Sequence, residues 1–323
     1  MRILVLGGSG FIGGRLLAKL SHIPAEVIAG SRRVSQLESA GNISHISIDG
    51  TNFSDLKRAA AGVTHIVNCV MGRPSAMIAS TRNLLEVAHL TRVERVVHMS
   101  SVSVYGATHG NIDERSERLA RDWYGKAKIS CENLVLEAAS KGLNVVMLRP
   151  ALVHGPGSEL WTHRIGELLQ AHRLGDLGAC GDGFCNLVYV EDVVNAISSA
   201  LFKDDTNGKT YNISSCNPPT WNEYLRFFAR ELRAVPLSSI PEWQLTAEAN
   251  IGAPLLRALR MLPIEKIFGR KVAPAITPAL RRLFKSTVRY NSTAMRELLP
   301  NGETPWRSVV QQVSSQRFDV QPL

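Results

Sequence analysis

The sequence predicts an α/β fold built on a doubly wound parallel sheet, and two observations lead to this expectation. Short apolar runs of the kind found in buried parallel strands alternate with helix-like segments through the first half of the chain. A glycine-rich turn also joins the first of these strands to the first helix. The 323 residues suffice for one large α/β domain with a smaller lobe, or for two modest domains.

The elements of the first half follow one another in a regular order. Strands are expected at residues 2–6, 26–29, 43–48, 65–70, 95–99 and 144–148. Helices are expected between them at residues 11–20, 56–61, 80–90 and 124–139. Such a series implies right-handed crossover connections.

The alternation becomes less regular after Pro150, where the glycines and proline of residues 155–157 predict a loop. The elements expected beyond this loop are strands at 186–190 and 211–213, a helix at 192–202 and a mainly helical stretch from Thr220 onward.

The glycine-rich turn fits both GxGxxG, counted from Gly8, and GxxGxxG, counted from Gly7. Glycines at these positions allow a tight turn, a close approach of the backbone to a pyrophosphate, and close packing of helix on strand. The helix start presents N–H groups and a positive dipole to the phosphates. We therefore expect a dinucleotide to be bound by Gly7, Gly8, Ser9, Gly10, Phe11, Ile12 and Gly13.

The end of the second strand indicates which nicotinamide cofactor is preferred. An NAD site usually carries a carboxylate there for the ribose 2′-hydroxyl, whereas this strand ends in Ser31, Arg32 and Arg33. Arginine suits a 2′-phosphate, so NADP(H) is favoured and NAD(H) remains the alternative. Asp49 either accepts a hydrogen bond from the adenine amine or starts the turn before the next helix.

A serine-rich strand end and a tyrosine–lysine pair form the candidate catalytic group. Tyr124 and Lys128 are four residues apart on a predicted helix and therefore share one face. An ammonium beside a phenol lowers the pKa of the phenol, which makes Tyr124 a candidate general acid/base for a ketone and its alcohol. A serine of the strand end can hydrogen-bond the same substrate oxygen. No metal-ligand pattern is present, and His154 and His163 are expected at the surface.

This joint pattern resembles the extended short-chain dehydrogenase/reductase family, the superfamily of NAD(P)-dependent epimerases, dehydratases and ketoreductases. The similar segments, which span roughly residues 1 to 215, are 7–13, 81–86, 100–106, 124–128, 148–157 and 188–192. The resemblance implies that Ser101 is the catalytic serine, that Tyr124 is the acid/base and that Lys128 also holds the nicotinamide ribose. It matches Asn83 to a structural asparagine on the helix below the site. The family often dimerises through the helices that include the Tyr/Lys helix, so a homodimer is one expected assembly.

The family resemblance implies a Rossmann-type, NAD(P)-binding domain over residues 1–155 that carries the catalytic serine, tyrosine and lysine. Residues 156–323 are then expected to form a smaller, mainly helical lobe that mostly binds the substrate. Elements around 186–215 return to the first domain.

Positions that differ between members of the family favour some reactions over others. Val102 and Ser103 stand where 4,6-dehydratases carry an Asp-Glu pair, so dehydration is not expected. Leu152 stands near a position where many nucleotide-sugar epimerases carry an asparagine. The stretch 183–187 lacks the arginine with which such enzymes often clamp the substrate pyrophosphate.

Residues 148–157 are more similar to ketoreductase-like branches of the family. We therefore expect an NADP(H)-preferring oxidoreductase that transfers a hydride reversibly at a secondary alcohol or ketone of a small molecule. The alternative is a nucleotide-sugar 4-epimerase or 4-ketoreductase, with Arg164, Arg173 or the basic C-terminal part in place of the missing clamp. A catalytically silent NAD(P)-sensing regulator is a further alternative, against which the intact serine, tyrosine and lysine argue.

The net charge of +9 favours anionic partners. The expected substrate is a small molecule, either anionic or lipophilic, and nucleic acid is not expected because no aromatic stacking platform accompanies the charge. The basic, apolar segment 252–285 suits either peripheral membrane contact, a lid over the pocket, or a packed helical lobe with a solvated face.

Five cysteines without a CxxC spacing indicate a reducing compartment. The N-terminus lacks the pattern of a signal peptide, and no apolar run of about 18 residues occurs. A cytoplasmic location is therefore expected.

Overall fold

The computed structural model describes residues 1–32, 41–252, 254 and 275–315. Its strands are β1 (Arg2–Leu6), β2 (Glu26–Ser31), β3 (Ile43–Ser47), β4 (His65–Asn68), β5 (Arg95–Met99), β6 (Asn111–Ile112), β7 (Val145–Pro150), β8 (Leu152–His154), β9 (Leu187–Tyr189), β10 (Thr210–Ile213) and β11 (Arg289–Tyr290). Its α-helices are α1 (Phe11–Leu20), α2 (Phe53–Ala59), α3 (Pro74–Leu90), α4 (Trp123–Ser140), α5 (Arg164–Gln170), α6 (Val190–Phe202), α7 (Trp221–Glu231), α8 (Glu242–Ala247), α9 (Pro278–Phe284) and α10 (Trp306–Ser314).

The main sheet has seven parallel strands in the order β10-β7-β5-β4-β1-β2-β3. The strand order reverses between β1 and β4, so the predicted Rossmann-type doubly wound fold is confirmed. Ligands of such sheets bind beyond the carboxyl ends of the strands at the point of reversal. Leu6, which ends β1, pairs with Gly30 of β2 and Asn68 of β4. The residues that follow these three therefore lie at that edge.

Alternate side chains of β1 are buried on opposite faces of the sheet. Ile3 and Val5 pack with the apolar faces of α1 and α6. Leu4 and Leu6 pack on the other face with α2, α3 and α4. The unbroken apolar run of this strand is therefore explained by burial on both faces.

A third apolar cluster lies in the later half of the chain and joins five helices, α5, α7, α8, α9 and α10. Ile165 of α5, Trp221 of α7, Phe284 of α9 and Val310 of α10 are among its fully buried members. The predicted smaller, mainly helical lobe is confirmed. Strand β10 comes between α5 and α7 of this lobe in the sequence, but it returns to the main sheet and pairs with β7. The domain boundary at residue 155 stays a prediction.

Two of the differences from the sequence expectations have a clear physical cause. Helix α3 begins at Pro74 rather than at residue 80, because proline is well suited to the first position of a helix. Strands β6 and β11 pair in parallel, with Arg289 opposite Asn111. Each has two residues, too few for an alternating apolar pattern to reveal it.

A buried carboxylate on α4 hydrogen-bonds to residues of two neighbouring strands and so holds this helix against the sheet. Glu132 of α4 has no exposed surface. Nε and Nη2 of Arg149, on β7, each donate to one of its oxygens at 2.8 Å. The hydroxyl of Ser100, directly after β5, donates to Oε1 at 2.6 Å. Both carboxylate oxygens are thus held by donors from two neighbouring strands.

The same arginine continues the network towards β10. Nη1 of Arg149 donates to the hydroxyl of Tyr105 at 2.8 Å, and that hydroxyl donates to Oδ1 of Asn212 at 2.7 Å. Tyr105 belongs to the stretch 100–106, which we call the serine loop. The network therefore joins α4, β7, β10 and the serine loop into one rigid unit.

Glu132→Gln is expected to lower the free energy of unfolding by about 3 kcal/mol, because it leaves Arg149 buried without a compensating charge. Urea unfolding followed by circular dichroism measures this change. The matched control is Glu137→Gln on the same helix, whose carboxylate is exposed and pairs with Lys141 at the surface. The control should leave the unfolding midpoint essentially unchanged. Equal midpoints for the two variants would contradict the prediction.

Candidate active site

The glycine turn is fixed by contacts that leave no room for side chains. Gly7 has a φ of +82° and donates to the carbonyl of Gly30 at 2.9 Å. A β-carbon on Gly7 would lie 2.8 Å from the carbonyl oxygen of Cys69. One on Gly13 would lie 2.2 Å from the carbonyl oxygen of Gly7, far inside van der Waals contact. Glycine at both positions is therefore required by the backbone packing of β1, β4 and α1.

The start of α1 is built to receive a negatively charged group. Gly10 caps the helix with extended backbone, and within the described chain neither a capping side chain nor an acidic residue occupies the first turn. The first N–H groups of a helix have no intrahelical partner and carry its positive dipole. Ser9 and Gly10 are exposed at the tip of the turn. The residues present therefore fit the pyrophosphate of a dinucleotide.

A loop of the later chain closes over this helix start. A β-carbon on Gly157 would lie 3.7 Å from the ring of Phe11. Nη2 of Arg15 donates to the carbonyl of Pro156 at 2.9 Å. Ile12 packs on the core beneath. The loop after β8 is thus held directly above the glycine turn.

The residues predicted to select the cofactor lie at the ends of β2 and β3. Ser31 ends β2, and Arg32 follows it with an exposed side chain. Arg33 lies outside the described residues. Oδ1 of Asp49 accepts from the amide and the hydroxyl of Thr51, at 2.9 and 2.8 Å, so Asp49 starts the turn before α2. These bonds, with a smaller effect from the charge of Arg32, lower the pKa of Asp49.

The structure brings Ser101, Tyr124 and Lys128 together beyond β5. The side chains of Ser101 and Tyr124 share a hydrogen bond, which acts to lower the pKa of Tyr124. Nζ of Lys128 lies 5.9 Å from the centre of the Tyr124 ring and donates to the carbonyl of Met99 at 2.7 Å. Lys128 and Ser101 are buried, and Tyr124 is half-buried. The hydroxyls of Ser101 and Tyr124 therefore lie close together, with Lys128 buried beside the Tyr124 ring.

The expectation that Lys128 lowers the pKa of Tyr124 is wrong for this structure. Burial raises the pKa of Tyr124 above its usual value. The bond from Ser101 acts in the opposite direction, and the charge of Asp122 raises the pKa slightly further. Burial also lowers the pKa of Lys128, whose ammonium is directed at the Met99 carbonyl. Loss of water around the phenol is the largest of these effects.

Two further residues position Tyr124 and were not identified from the sequence. Asp122 accepts from the amides of Tyr124 and Gly125, each at 3.0 Å, and so fixes the first turn of α4. A β-carbon on Gly125 would lie 2.7 Å from the carbonyl oxygen of Ser103. This glycine lets α4 approach the serine loop. An aspartate directly before a predicted helix is the signal that could have revealed the cap.

Other sequence expectations have mixed outcomes. Asn83 donates to the carbonyl of Thr51 at 2.9 Å, so it braces the turn before α2 instead of the catalytic group. The surface position expected for His154 is wrong: this residue ends β8 and is buried, and burial lowers its pKa to about 3. His163 is half-buried. Within the described ranges, no three His, Cys, Asp or Glu side chains are grouped to hold a metal ion.

The positions considered for a pyrophosphate clamp are occupied by internal contacts. Cys185, which lies in the stretch that lacks the arginine, is fully buried. Arg173 pairs with Glu248. Arg164 donates to the carbonyl of Ala275. Neither arginine is therefore a simple replacement for the missing clamp.

The segment 252–285 is described only in part, since residues 253 and 255–274 lie outside the described ranges. In its described part, Arg281 of α9 donates to Glu242 of α8 at 3.0 Å. Leu280 and Phe284 of α9 are buried. No helix in the described part of the chain has the length and apolar character needed to cross a membrane.

Comparison with known proteins identifies the chain's relatives. The model of the NAD dependent epimerase/dehydratase family matches residues 3–214, about two-thirds of the chain. A ketoreductase of Stigmatella aurantiaca, named for 4-hydroxy-2-methyl-3-oxo-4-farnesyl-3,4-dihydroquinoline-1-oxide, is 25% identical over 317 residues, 92% of this chain and 91% of that protein. The N-acetyl-alpha-D-glucosaminyl-diphospho-ditrans,octacis-undecaprenol 4-epimerase of Escherichia coli O157:H7 is 24% identical and covers 65% of this chain and 66% of its own length.

A solved structure shares the fold over almost the whole chain. The UDP-glucuronic acid 4-epimerase of Bacillus cereus, in complex with NAD, superposes with a TM-score of 0.69 and 20% identity, and covers 98% of both chains. At this identity the likeness supports the fold alone.

Gly13→Ala is expected to weaken dinucleotide binding at least tenfold, because its β-carbon forces α1 away from the Gly7 carbonyl. Fluorescence titration with NADPH and with NADH measures the change. The matched control is the neighbouring Gly14→Ala, whose β-carbon would lie 3.6 Å from the Gly8 carbonyl oxygen, an ordinary contact. This control should bind as the original protein does and unfold no more easily, since alanine favours a helix. Equal affinities for both variants would argue against the close approach.

Proposed function

Because the chain belongs to the NAD dependent epimerase/dehydratase family, we propose that it is an NADP(H)-preferring oxidoreductase. It transfers a hydride reversibly at a secondary alcohol or ketone of a small molecule. Tyr124 is the general acid/base, Ser101 assists it, and Lys128 holds the cofactor ribose and stabilises the site electrostatically.

One observation carries this proposal. Ser101, Tyr124 and Lys128 meet beyond β5, two strands from the glycine turn that follows β1, at the same carboxyl edge of the sheet. The proposed acid/base group and the dinucleotide cradle therefore lie at the same edge of the sheet, as hydride transfer next to proton transfer requires.

The protein's own contribution to the reaction is proton transfer and orientation. The reduced nicotinamide supplies the hydride when bound. Tyr124 donates its phenolic proton to the ketone oxygen in reduction and removes it again in oxidation. The hydroxyl of Ser101 orients the same oxygen by a hydrogen bond. Lys128, held by the Met99 carbonyl, supplies a fixed positive charge beside the phenol.

The choice of NADP(H) rests on the end of β2. Arg32 is exposed there and available to a phosphate, and no carboxylate ends the strand. Gly7 and Gly8 donate to the Gly30 carbonyl, which sets the distance between the glycine turn and this strand end. Asp49, which accepts hydrogen bonds from Thr51, lies near Arg32, whose positive charge helps to lower the pKa of Asp49. NAD(H), which the solved relative binds, is the alternative cofactor.

A nucleotide-sugar 4-epimerase or 4-ketoreductase is the second candidate. The likeness to the 4-epimerase of Escherichia coli O157:H7 favours it. The internal contacts of Arg164 and Arg173, together with the buried Cys185, weigh against a pyrophosphate clamp in the described lobe. The relative named as a ketoreductase covers more of the chain and supports the first candidate.

The proposed setting of the enzyme follows from composition and resemblance. We place it in the cytoplasm, as a homodimer that contacts its neighbour through the helices that include α4. For residues 252–285 we favour a packed helical lobe with a solvated basic face, with a lid over the substrate pocket and peripheral membrane contact as the alternatives.

The first test is NADPH oxidation with a panel of ketones, followed by absorbance at about 340 nm. Tyr124→Phe should lower kcat/KM about 100-fold or more, the usual contribution of a general acid. Its dissociation constant for NADPH should remain within about twofold. Because burial raises the pKa of Tyr124, the phenol stays protonated at neutral pH. Ketone reduction should therefore persist there, whereas alcohol oxidation should rise with pH as phenolate forms.

The matched control for this test is Tyr211→Phe. That hydroxyl bonds to Glu297 on the far side of β10 and takes no part in the proposed chemistry. The control should retain the original kcat/KM. Unchanged kcat/KM in Tyr124→Phe would contradict the assignment of Tyr124 as the general acid/base.

Cofactor choice has its own test in Arg32→Ala. We expect the affinity for NADPH to fall about tenfold to a hundredfold while the affinity for NADH stays the same, because a charged hydrogen bond to the 2′-phosphate is lost. Arg58→Ala, which removes an exposed charge from α2, is the matched control and should change neither affinity. Tighter binding of NADH than NADPH by the original protein would overturn the NADP(H) preference and move the epimerase to first place.

A further inference from the structure

Large apolar side chains are exposed at one edge of the sheet. Among the described residues, eleven large apolar side chains are exposed, and four of them belong to segments that adjoin the active site. We call these four the apolar rim: Met71, 64% exposed, Leu119, 48%, Trp123, 63%, and Leu160, 52%. Scattered exposed apolar residues are ordinary in proteins, whereas a group around one opening marks a ligand site.

Two members of the apolar rim come from segments that touch glycines of the site. Met71 is the second residue after Cys69, whose carbonyl oxygen would meet a β-carbon on Gly7. The carbonyl oxygen of Leu119 would lie 2.7 Å from a β-carbon on Gly106, the last residue of the serine loop. The backbone of both segments is thereby fixed beside the glycine turn and the serine loop.

The other two members adjoin the catalytic tyrosine and the start of α1. The ring of Trp123 meets the ring of Tyr124 edge-on, with centres 5.7 Å apart. Leu160 is the third residue after Gly157, which faces the ring of Phe11. All four side chains therefore belong to the segments that surround Tyr124 and the dinucleotide cradle.

The charges beside the apolar rim are mixed, and the two arginines considered for a pyrophosphate clamp are not among them. The carboxylate of Asp122 caps α4 directly beside Tyr124. Arg164 and Arg173 are engaged within the lobe. The exposed Arg73 and Arg121 stand next to the rim in sequence, so an anionic competitor belongs in any test.

We infer that the substrate is lipophilic: a ketone or secondary alcohol on an extended hydrocarbon body that the apolar rim removes from water. This inference rests on the proposed hydride transfer and names its substrate class. Burial of hydrocarbon on these four side chains supplies the binding free energy that a pyrophosphate clamp supplies in a nucleotide-sugar enzyme.

A homologous series of methyl ketones tests the inference. The value of kcat/KM is measured with NADPH for 2-butanone and its longer homologues up to 2-nonanone. Each methylene group that leaves water is expected to raise kcat/KM by up to about fourfold. A value that does not rise along the series would overturn the inference.

Variants of the rim locate the effect. Leu160→Ala and Trp123→Ala should reduce the gain in kcat/KM between 2-butanone and 2-nonanone. Leu90→Ala is the matched control: its side chain is 55% exposed, close to the 52% of Leu160, but it ends α3 at the opposite edge of the sheet. This control should keep the full gain. An equal gain in kcat/KM in all variants would show that the apolar rim does not contact the substrate.

Binding by titration calorimetry separates failure of the inference from failure of the proposed function. The protein saturated with NADP⁺, which cannot reduce a ketone, is titrated with 2-nonanone and with UDP-glucose. Tighter binding of UDP-glucose, with 2-butanone still reduced, would overturn the lipophilic class and retain hydride transfer. Tighter binding of 2-nonanone, with no ketone reduced, would overturn the proposed function and retain the ligand class.

Discussion

Glu132 has no exposed surface, and its negative charge is stabilised there by donors from Arg149, Ser100 and Arg118. It lies one helical turn beyond Lys128 on α4, so whatever fixes Glu132 also fixes the catalytic lysine and tyrosine on the same helix. Arg149 reaches from this pair to Tyr105 of the serine loop. The relative position of the serine and the tyrosine therefore depends on a charge pair that touches neither of them.

Two glycines determine how closely the helices of the site can approach the neighbouring backbone. Gly13 lets α1 lie against the backbone of Gly7, and Gly125 lets α4 lie against the serine loop. In both places a helix start must come within contact of a neighbouring backbone, and any side chain would push it outward. The ion pair sets the orientation of α4, and the glycine sets how close its first turn can come. The two constraints together determine the site more tightly than either does alone.

The sequence predicts well those features that depend on neighbouring residues. The bounds of β1, α1 and β5 agree with expectation because periodicity and the glycine turn are local signals. The proposed catalytic trio is predicted from the sequence because its motifs have fixed spacing. The ion pair was not found, since Glu132 and Arg149 are 17 residues apart and Tyr105 and Asn212 are 107 apart, and no local pattern links them. The pKa of Tyr124 was misjudged for a related reason: burial depends on what packs around the phenol, which spacing along a helix does not reveal.

That misjudged pKa bears on the reaction itself. Ketone reduction begins with the protonated phenol, whereas alcohol oxidation begins with the phenolate. A 4-epimerase must oxidise its substrate before it reduces it, so it needs the base form at the start of each cycle. Burial of Tyr124 stabilises the acid form, and Lys128 turns its ammonium to the Met99 carbonyl. The fold by itself therefore stabilises the protonation state with which ketone reduction begins.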